Sequence, residues 1–514
     1  LHQQKKRNCV MKKVKLSTIA LVALIGASSV TMTSCKKKGC MDPEATNYNA
    51  DAKKDDNSCV YDTITEPDPT PVAWDVVGWF SDAAKGNSNL AKWQDAGIDP
   101  TIFDLGTPNV LPQAGSMLLS GADFSGLPTY FNTVNFKGAF GTTDWTQGWV
   151  DWNSGQTAYS GSIVEVPEGN ITGNVTWTSN NIYRLNGFVR VQDGAVLTIE
   201  AGTVIYGDTE TKGTLIIQRG GKIMAEGTAS NPIIMTSEKA PGLRQPGDWG
   251  GLVVCGKAPN NVPGGNVELE GGYGAFHGGN DANDNSGIIK YVQVNFAGIP
   301  INPNEEVNSL TMGSVGAGTV IENVLCAYGL DDAFEWFGGT VNCKYLVAYR
   351  GLDDDLDVDL GYSGNVQFAL CIRGASLADQ SGSNGFEVDN DGSGSNNAPF
   401  TAATFSNVTI IGPKKDRNTA ISLQFQNGAQ LRRNCKLKIH NSFITGYPNG
   451  IFIDGSGAKA NADNNELVVK NTVIAGVEHW GGNGYGSAGT VFTGAPSNGA
   501  QHPNNPRGVA LRTN

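Results

Sequence analysis

"ENVLCAYG", Glu322 to Gly329, and "KYLVAYRG", Lys344 to Gly351, are one phrase written twice: an apolar strand closing on glycine. It recurs as "YVQVNFAG" to Gly298, "QFALCIRG" to Gly374, "SNVTIIG" to Gly412, "NSFITG" to Gly446 and "NTVIAG" to Gly476. Two positions before the glycine stand Phe296, Ala327, Tyr349, Ile372, Ile410, Ile444 and Ile474, all apolar. Gly329, Gly351 and Gly374 follow one another at 22 and 23 residues. That interval is one coil of a parallel β-helix, and the longer intervals are coils carrying loops. A flat α/β sheet would need helical crossovers of ten or more residues with a 3.6 period, and none is present. The expected fold class is therefore all-β, a solenoid of parallel strands.

A second register supports it. Asn407, Asn441 and Asn471 each stand five residues before their glycine. Asparagines stacked at a turn are expected to hydrogen-bond from coil to coil. Upstream, "VRVQDGAVLTIEAGTVIYG" and "GTLIIQRGGKIMAEGTASNPIIMTS" are short alternating runs broken by Gly, Asp-Gly and Asn-Pro.

Composition agrees. Of 514 residues 67 are glycine, nearly twice the ordinary share of about 7%, which suits many short strands joined by tight turns. The net charge of −12 excludes nucleic acid as a partner, because that would need a basic face. Cations, or ligands held through cations, remain.

The N-terminal stretch suggests export. Residues 1–10, "LHQQKKRNCV", read as sequence upstream of a start at Met11. "MKKVK" is a basic n-region, "LSTIALVALIGASSV" a short apolar h-region, and "MTSC" ends at Cys35. Residues 11–34 thus resemble a bacterial lipoprotein signal, with Cys35 as the lipidated first residue. The apolar run is shorter than the ~20 residues of a membrane span. Lys36 to Lys38 are basic, unlike the acidic tag associated with surface export, so the periplasmic and the surface face of the outer membrane both stay open. In 35–61, Cys40 and Cys59 bracket an Asp- and Asn-rich segment too small to fold without a staple, so a Cys40–Cys59 disulfide is expected. The segment resembles a short cysteine-bracketed module of exported Bacteroidota proteins, with Asn57 where glycine is usual; Asn tolerates the same left-handed turn. It reads as a spacer rather than a Ca²⁺ holder. Cys255, Cys326, Cys343, Cys371 and Cys435 lie in apolar runs and are expected to be buried thiols.

Residues 62–73, "DTITEPDPTPVA", form an acidic, proline-rich linker. Residues 74–157 are rich in aromatics, with six of the ten tryptophans between Trp74 and Trp152. Tryptophans at this density more often pack against a neighbour than stack on sugar rings. The β-helix is expected over 172–500, with 501–514 as a C-terminal tail.

"TWTSNNIYRLNGFVRVQDGAVLTIEAGTVIYG", "GDWGGLVVCGKAP", "DDAFEWFGGTVNCKYLVAYRGLDDDLDVDLG" and "DQSGSNGFEVDND" are similar to a family of Bacteroidota exported lipoproteins. That resemblance implies a right-handed parallel β-helix of the pectate-lyase type. It brings no catalytic residues with it. In that family the aromatic stretch follows the helix, whereas here it precedes it, so a permuted or composite chain is expected.

The densest chemistry is "GLDDDLDVDLG", Gly351 to Gly361. Aligned on the glycines, successive coils read "DDAFEWFGG", "DDDLDVDLG" and "NGFEVDNDG". Phe334, Leu356 and Phe386 share one column and Trp336, Val358 and Val388 another; both should point inward. Alternation then sends Glu335, Asp357 and Glu387 outward, with Phe337, Asp359 and Asp389 beside them. Three residues before the first outward column stand Asp332, Asp354 and Asn384. Two carboxylates ~5 Å apart repel by roughly 3 kcal/mol at an effective dielectric of 20. Such a stack needs a bound cation or protonated members. Oxygen ligands on rigid strands suit Ca²⁺, so Glu335, Asp357, Asp359, Glu387 and Asp389 are the candidate metal ligands. The next coil, "TAISLQ", would place Ser422 and Gln424 in the two columns.

Two functions fit. One is a non-catalytic, lipid-anchored binding or scaffold protein that meets a polysaccharide or an outer-membrane receptor. The other is a Ca²⁺-dependent polysaccharide lyase, or a glycoside hydrolase, acting on acidic glycans. For a lyase, Arg350 and Arg373, each one position before a glycine, are the candidate bases; ion pairing with Asp353 or Asp379 is their plainer role. No histidine pair has ligand spacing, and no nucleophile elbow, P-loop or dinucleotide fingerprint appears.

Overall fold

The computed structural model describes residues 37–60 (except 43, 44 and 46), 76–477 (except 304 and 417) and the short strand at 491–493. Cys35, the signal segment, the linker and Trp74 lie outside the described residues. The chain divides into two compact units, residues 1–72 and 73–514. Among the described residues no helix is long and apolar enough to cross a membrane.

The first unit is stapled as expected: Cys40 and Cys59 form a disulfide. Asn57 takes a left-handed φ of 56°. The carboxylates of Asp55 and Asp56 accept the backbone N–H groups of Asn57 and Ser58, so these acids serve the module's own turn.

The second unit is a right-handed parallel β-helix. Its first rung is earlier than residue 172, because Ser162–Ile171 pairs in parallel with Asn181–Val191. Rung then stacks on rung, each strand bonding one coil ahead. One face runs Leu310–Gly313, Phe334–Phe337, Leu356–Asp359, Phe386–Val388, Asn427–Leu431 and Asn449–Ile453. Another runs Gly287–Asn295, Val320–Ala327, Asn342–Tyr349, Asn365–Ile372 and Thr404–Ile411. Phe334, Leu356 and Phe386 stack inside, as do Trp336, Val358 and Val388, all wholly buried. Among the described residues the five free cysteines are buried too.

The coils align on a different residue from the one that the repeat suggests. Tyr291, Asn323, Tyr345, Phe368, Asn407, Asn441 and Asn471 all have φ between 50° and 62°, and the strands on either side of each pair in register. One left-handed residue per coil makes the corner, and Asn accepts that conformation at little cost. The closing glycine lies beyond the paired strand, where turn length is free to vary. The positions two before it therefore split between two environments. Ile410, Ile444 and Ile474 point into the core, while Ala327, Tyr349 and Ile372 pack on the outside.

What they pack against is the aromatic segment. Ser88–Leu90 pairs in parallel with Val473–Ala475 on the last complete coil. The chain then travels back along the outside of the coils. Trp93 Nε1 donates to the Lys415 carbonyl (2.6 Å), Gln293 donates to the Trp149 carbonyl (2.5 Å), and Arg244 donates to the Ser154 carbonyl (2.6 Å). Trp93 and Trp149 are buried against the coils with Leu325, Val347 and Leu370. This strap also corrects the asparagine reading. Asn407 donates to the Phe136 carbonyl and Asn441 to the Asp123 carbonyl; the coil-to-coil bonds at these corners run through neighbours instead, Asn441 donating to Ser406 and Gln367 to Asn407, both at 3.1 Å.

Filling the interior with aromatic and aliphatic columns gives a direct test. Phe386→Ala leaves a void between Leu356 and Ala429 and is expected to cost about 3–5 kcal/mol, measured by urea denaturation. A loss under about 1 kcal/mol would mean that this column is not core.

Candidate metal centre

Pairing of Phe334–Phe337 with Leu356–Asp359, and of that strand with Phe386–Val388, puts Glu335 over Asp357 and Asp357 over Glu387. The same column continues upward to Thr311 and downward to Gln430 and Phe452, so its acids are confined to three coils. The structure puts Gln430, not Ser422 or Gln424, below Glu387. The segment after Gly412 is longer than the repeat suggests, and the strand that returns to the face is Asn427–Leu431.

Beside this column lies a hydrogen-bonded ladder. Asn449 donates its amide to Asn427 Oδ1 (2.9 Å), and Asn427 donates to Asn384 Oδ1 (2.8 Å). Asp354 Oδ1 accepts the Asn384 backbone N–H, and Asp332 Oδ1 accepts that of Asp354 (2.8 Å). Two rungs of an asparagine ladder are thus carboxyl groups, which when ionised accept but cannot donate. Asp354 also shares a side-chain hydrogen bond with Glu387.

Glu335, Asp357 and Glu387 face the same cavity as Asp332 and Asp354, together with Asp331, Asp353 and Glu270. Its volume is about 280 Å³. Eight carboxylates and one cationic side chain, Arg432, line it. Oxygens of Asp332, Glu335 and Asp357 all lie within 4.8 Å of one another. Oxygens that close can share one Ca²⁺, whose bonds to oxygen are ~2.4 Å long.

Asp359 and Asp389 fall outside this group. They occupy the neighbouring column, where Asp389 is gripped by Arg432 (2.9 and 3.0 Å) and Arg433 (2.8 Å). Asp359 accepts the Leu360 N–H at 2.6 Å. Arg432 reaches across to Glu387 as well. The candidate lyase bases lie elsewhere. Arg373 is wholly buried, paired with Asp355 at 2.8 Å and bonded to the Leu352 carbonyl at 2.9 Å. Arg350 stacks on Tyr328, with 5.2 Å between guanidinium carbon and ring centroid. Neither lines the cavity.

A family model described as a pectate-lyase like beta helix domain matches residues 169–493. The chain belongs to that family. No curated protein and no solved structure matches it.

In this pectate-lyase-like β-helix, burial and mutual repulsion together hold protons on the acids. Asp332, Glu335, Asp353 and Asp357 are pushed well above the ordinary carboxylate range, first by burial and then by neighbouring carboxylates. Burial, with Asp353 alongside, raises Asp354 to about 8. Glu387 also rises to about 8, burial outweighing the opposing pull of Arg432. For Arg432, burial works against the charge, but Glu387 and Asp389 more than offset it, so the guanidinium stays protonated.

Sequence reasoning missed Asp331, Asp353, Glu270, Gln426, Gln430 and Arg432. Asp331 and Asp353 adjoin ladder positions and follow from the same alignment. Glu270 comes from a loop between rungs, and no strand pattern points to it.

The sign of the pH dependence follows from these shifts. An acid whose folded pKa is raised keeps its proton in the native state after the unfolded chain has lost its own, so stability falls as pH rises between the two values. Metal-free protein is expected to melt progressively lower from about pH 5 to pH 8, in thermal scans followed by circular dichroism. Asp354→Asn, which completes the ladder with a neutral donor, should recover about 1–3 kcal/mol at pH 8. A flat profile, or a destabilised Asp354→Asn, would contradict the crowding of charge described here.

Proposed function

We propose that this protein is an exported, lipid-anchored β-helix that holds a Ca²⁺-type cation in its acidic cavity and works at the outer membrane as a non-catalytic binding or scaffold protein. The observation that carries the reading is the Asp332–Glu335–Asp357 oxygen cluster, drawn from two adjacent coils within 4.8 Å. Hard carboxylate oxygens on rigid strands match the ligand preference of Ca²⁺. A cation there would relieve the repulsion that otherwise keeps protons on the site. The lipoprotein-like signal ending at Cys35 supports the anchor, as it does an outer-membrane receptor or a surface polysaccharide as partner.

A second reading, a polysaccharide lyase or glycoside hydrolase acting on acidic glycans, draws on the family membership. Fold alone does not assign activity, and the cavity's own basic group argues against a lyase. A general base must accept a proton, whereas Arg432 is held charged between Glu387 and Asp389.

The test is calorimetric. Chelator-stripped protein titrated with CaCl₂ at pH 7.5 should release or absorb heat and gain thermal stability, and Asp357→Asn should weaken binding at least tenfold. Neither heat nor a rise in melting temperature would remove the reading. Incubation with uronate polymers and Ca²⁺ should yield no new absorbance from unsaturated ends. Absorbance that disappears in Arg432→Lys would put the lyase first.

A further inference from the structure

The cavity has a second corner. Asp331 and Asp353 stand three places before Phe334 and Leu356, which pair directly, so the two aspartates are stacked one coil apart. With Asp332 they place three carboxylate oxygens within 4.8 Å of one another. This triad and the Asp332–Glu335–Asp357 triad share one member, Asp332.

The independent observation is Gln426. Its side chain lines the cavity, its residue is 2% exposed, and its amide nitrogen is buried with no hydrogen-bond partner. Burying an amide without a partner is unfavourable, so an unpaired amide at a cavity wall points to a ligand there. The two ends of a carboxamide exchange by a half-turn, which would present oxygen to a cation. Gly382 makes room for it, because a Cβ at that position would lie 1.8 Å from Gln426 Nε2. Next to that glycine, Ser381 donates to Asp353 Oδ2 at 2.8 Å, while Asp353 Oδ1 is buried and unbonded. One oxygen of Asp353 is therefore fixed by the protein and the other is left open.

We propose that the cavity takes two divalent cations, the second held by Asp331, Asp332 and Asp353 with Gln426 as a neutral ligand, and that Asp332 bridges the pair. This rests on the reading that the first triad binds a cation. The charge balance favours it. One divalent ion among eight carboxylates and one arginine leaves a large negative surplus, which a second ion reduces. All the donors are hard oxygens, and such sets select Ca²⁺ or Mg²⁺ over softer metals.

The experiment counts ions. The full chain, stripped with chelator, is titrated with CaCl₂ by calorimetry, and bound calcium is counted by native mass spectrometry. Two ions per chain are expected. Asp353→Asn should retain one ion at unchanged affinity. Gln426→Ala, which removes no charge, should weaken the second ion about tenfold and leave the first alone, so a poorly folding Asp353→Asn does not decide the matter. One ion in the unaltered protein, or two that survive both substitutions, overturns the two-ion site and leaves the first reading standing. No ion at all overturns both.

Discussion

Parallel rungs bonded residue to residue put side chains far apart in sequence directly above one another. Glu335, Asp357 and Glu387 are separated by 22 and 30 residues, yet they form one vertical column. The core columns on either side, Phe334–Leu356–Phe386 and Trp336–Val358–Val388, lock that register. A slip of one residue would turn the carboxylates inward and the aromatics out. Packing thus enforces the crowding of charge, and the acids cannot relax it by moving along the strand.

The asparagine ladder shows what the same positions look like when they serve structure alone. Asn449 donates to Asn427 and Asn427 to Asn384, so amide hydrogen bonds pass from coil to coil with Asn427 both accepting and donating. Asp332 and Asp354 break that pattern where the cavity opens. Local rules of this kind are broken mostly at functional sites, and here the break exchanges amides for acids beside six further acids of the cavity. Arg432 marks the lower edge of the region. It neutralises Glu387 and Asp389, and below it the outward column becomes uncharged at Gln430 and Phe452.

Much of this was legible in the sequence, for a physical reason. Strand alternation fixes inside and outside, so the two inward columns and the Glu335–Asp357–Glu387 stack follow from the text of three coils. The turns were not legible. Closing glycines sit where loop length varies, so an alignment built on them misplaces Ile410, Ile444 and Ile474 and picks Ser422 and Gln424 in place of Gln430 and Arg432. The corner asparagines are legible as a column with bonds between coils, but their further partners come from the strap, some 270 to 320 residues earlier in the chain. No local pattern announces that contact. The strap starts beside the coil of Val473–Ala475 and ends at Arg244, just before the chain enters the first rung at Ser162, which shows why an aromatic segment can precede the β-helix. It spans the length of the coils, so either of its ends has a rung to join.

The central claim is that coil register creates a place for cations rather than a set of protonated acids. The most direct measurement is the anomalous scattering of crystals grown from chelated protein and soaked in a lanthanide salt. The account predicts a strong peak bounded by Asp332, Glu335 and Asp357, with their carboxylates turned toward it. An empty cavity, in which the same carboxyl groups hydrogen-bond to one another, would contradict it.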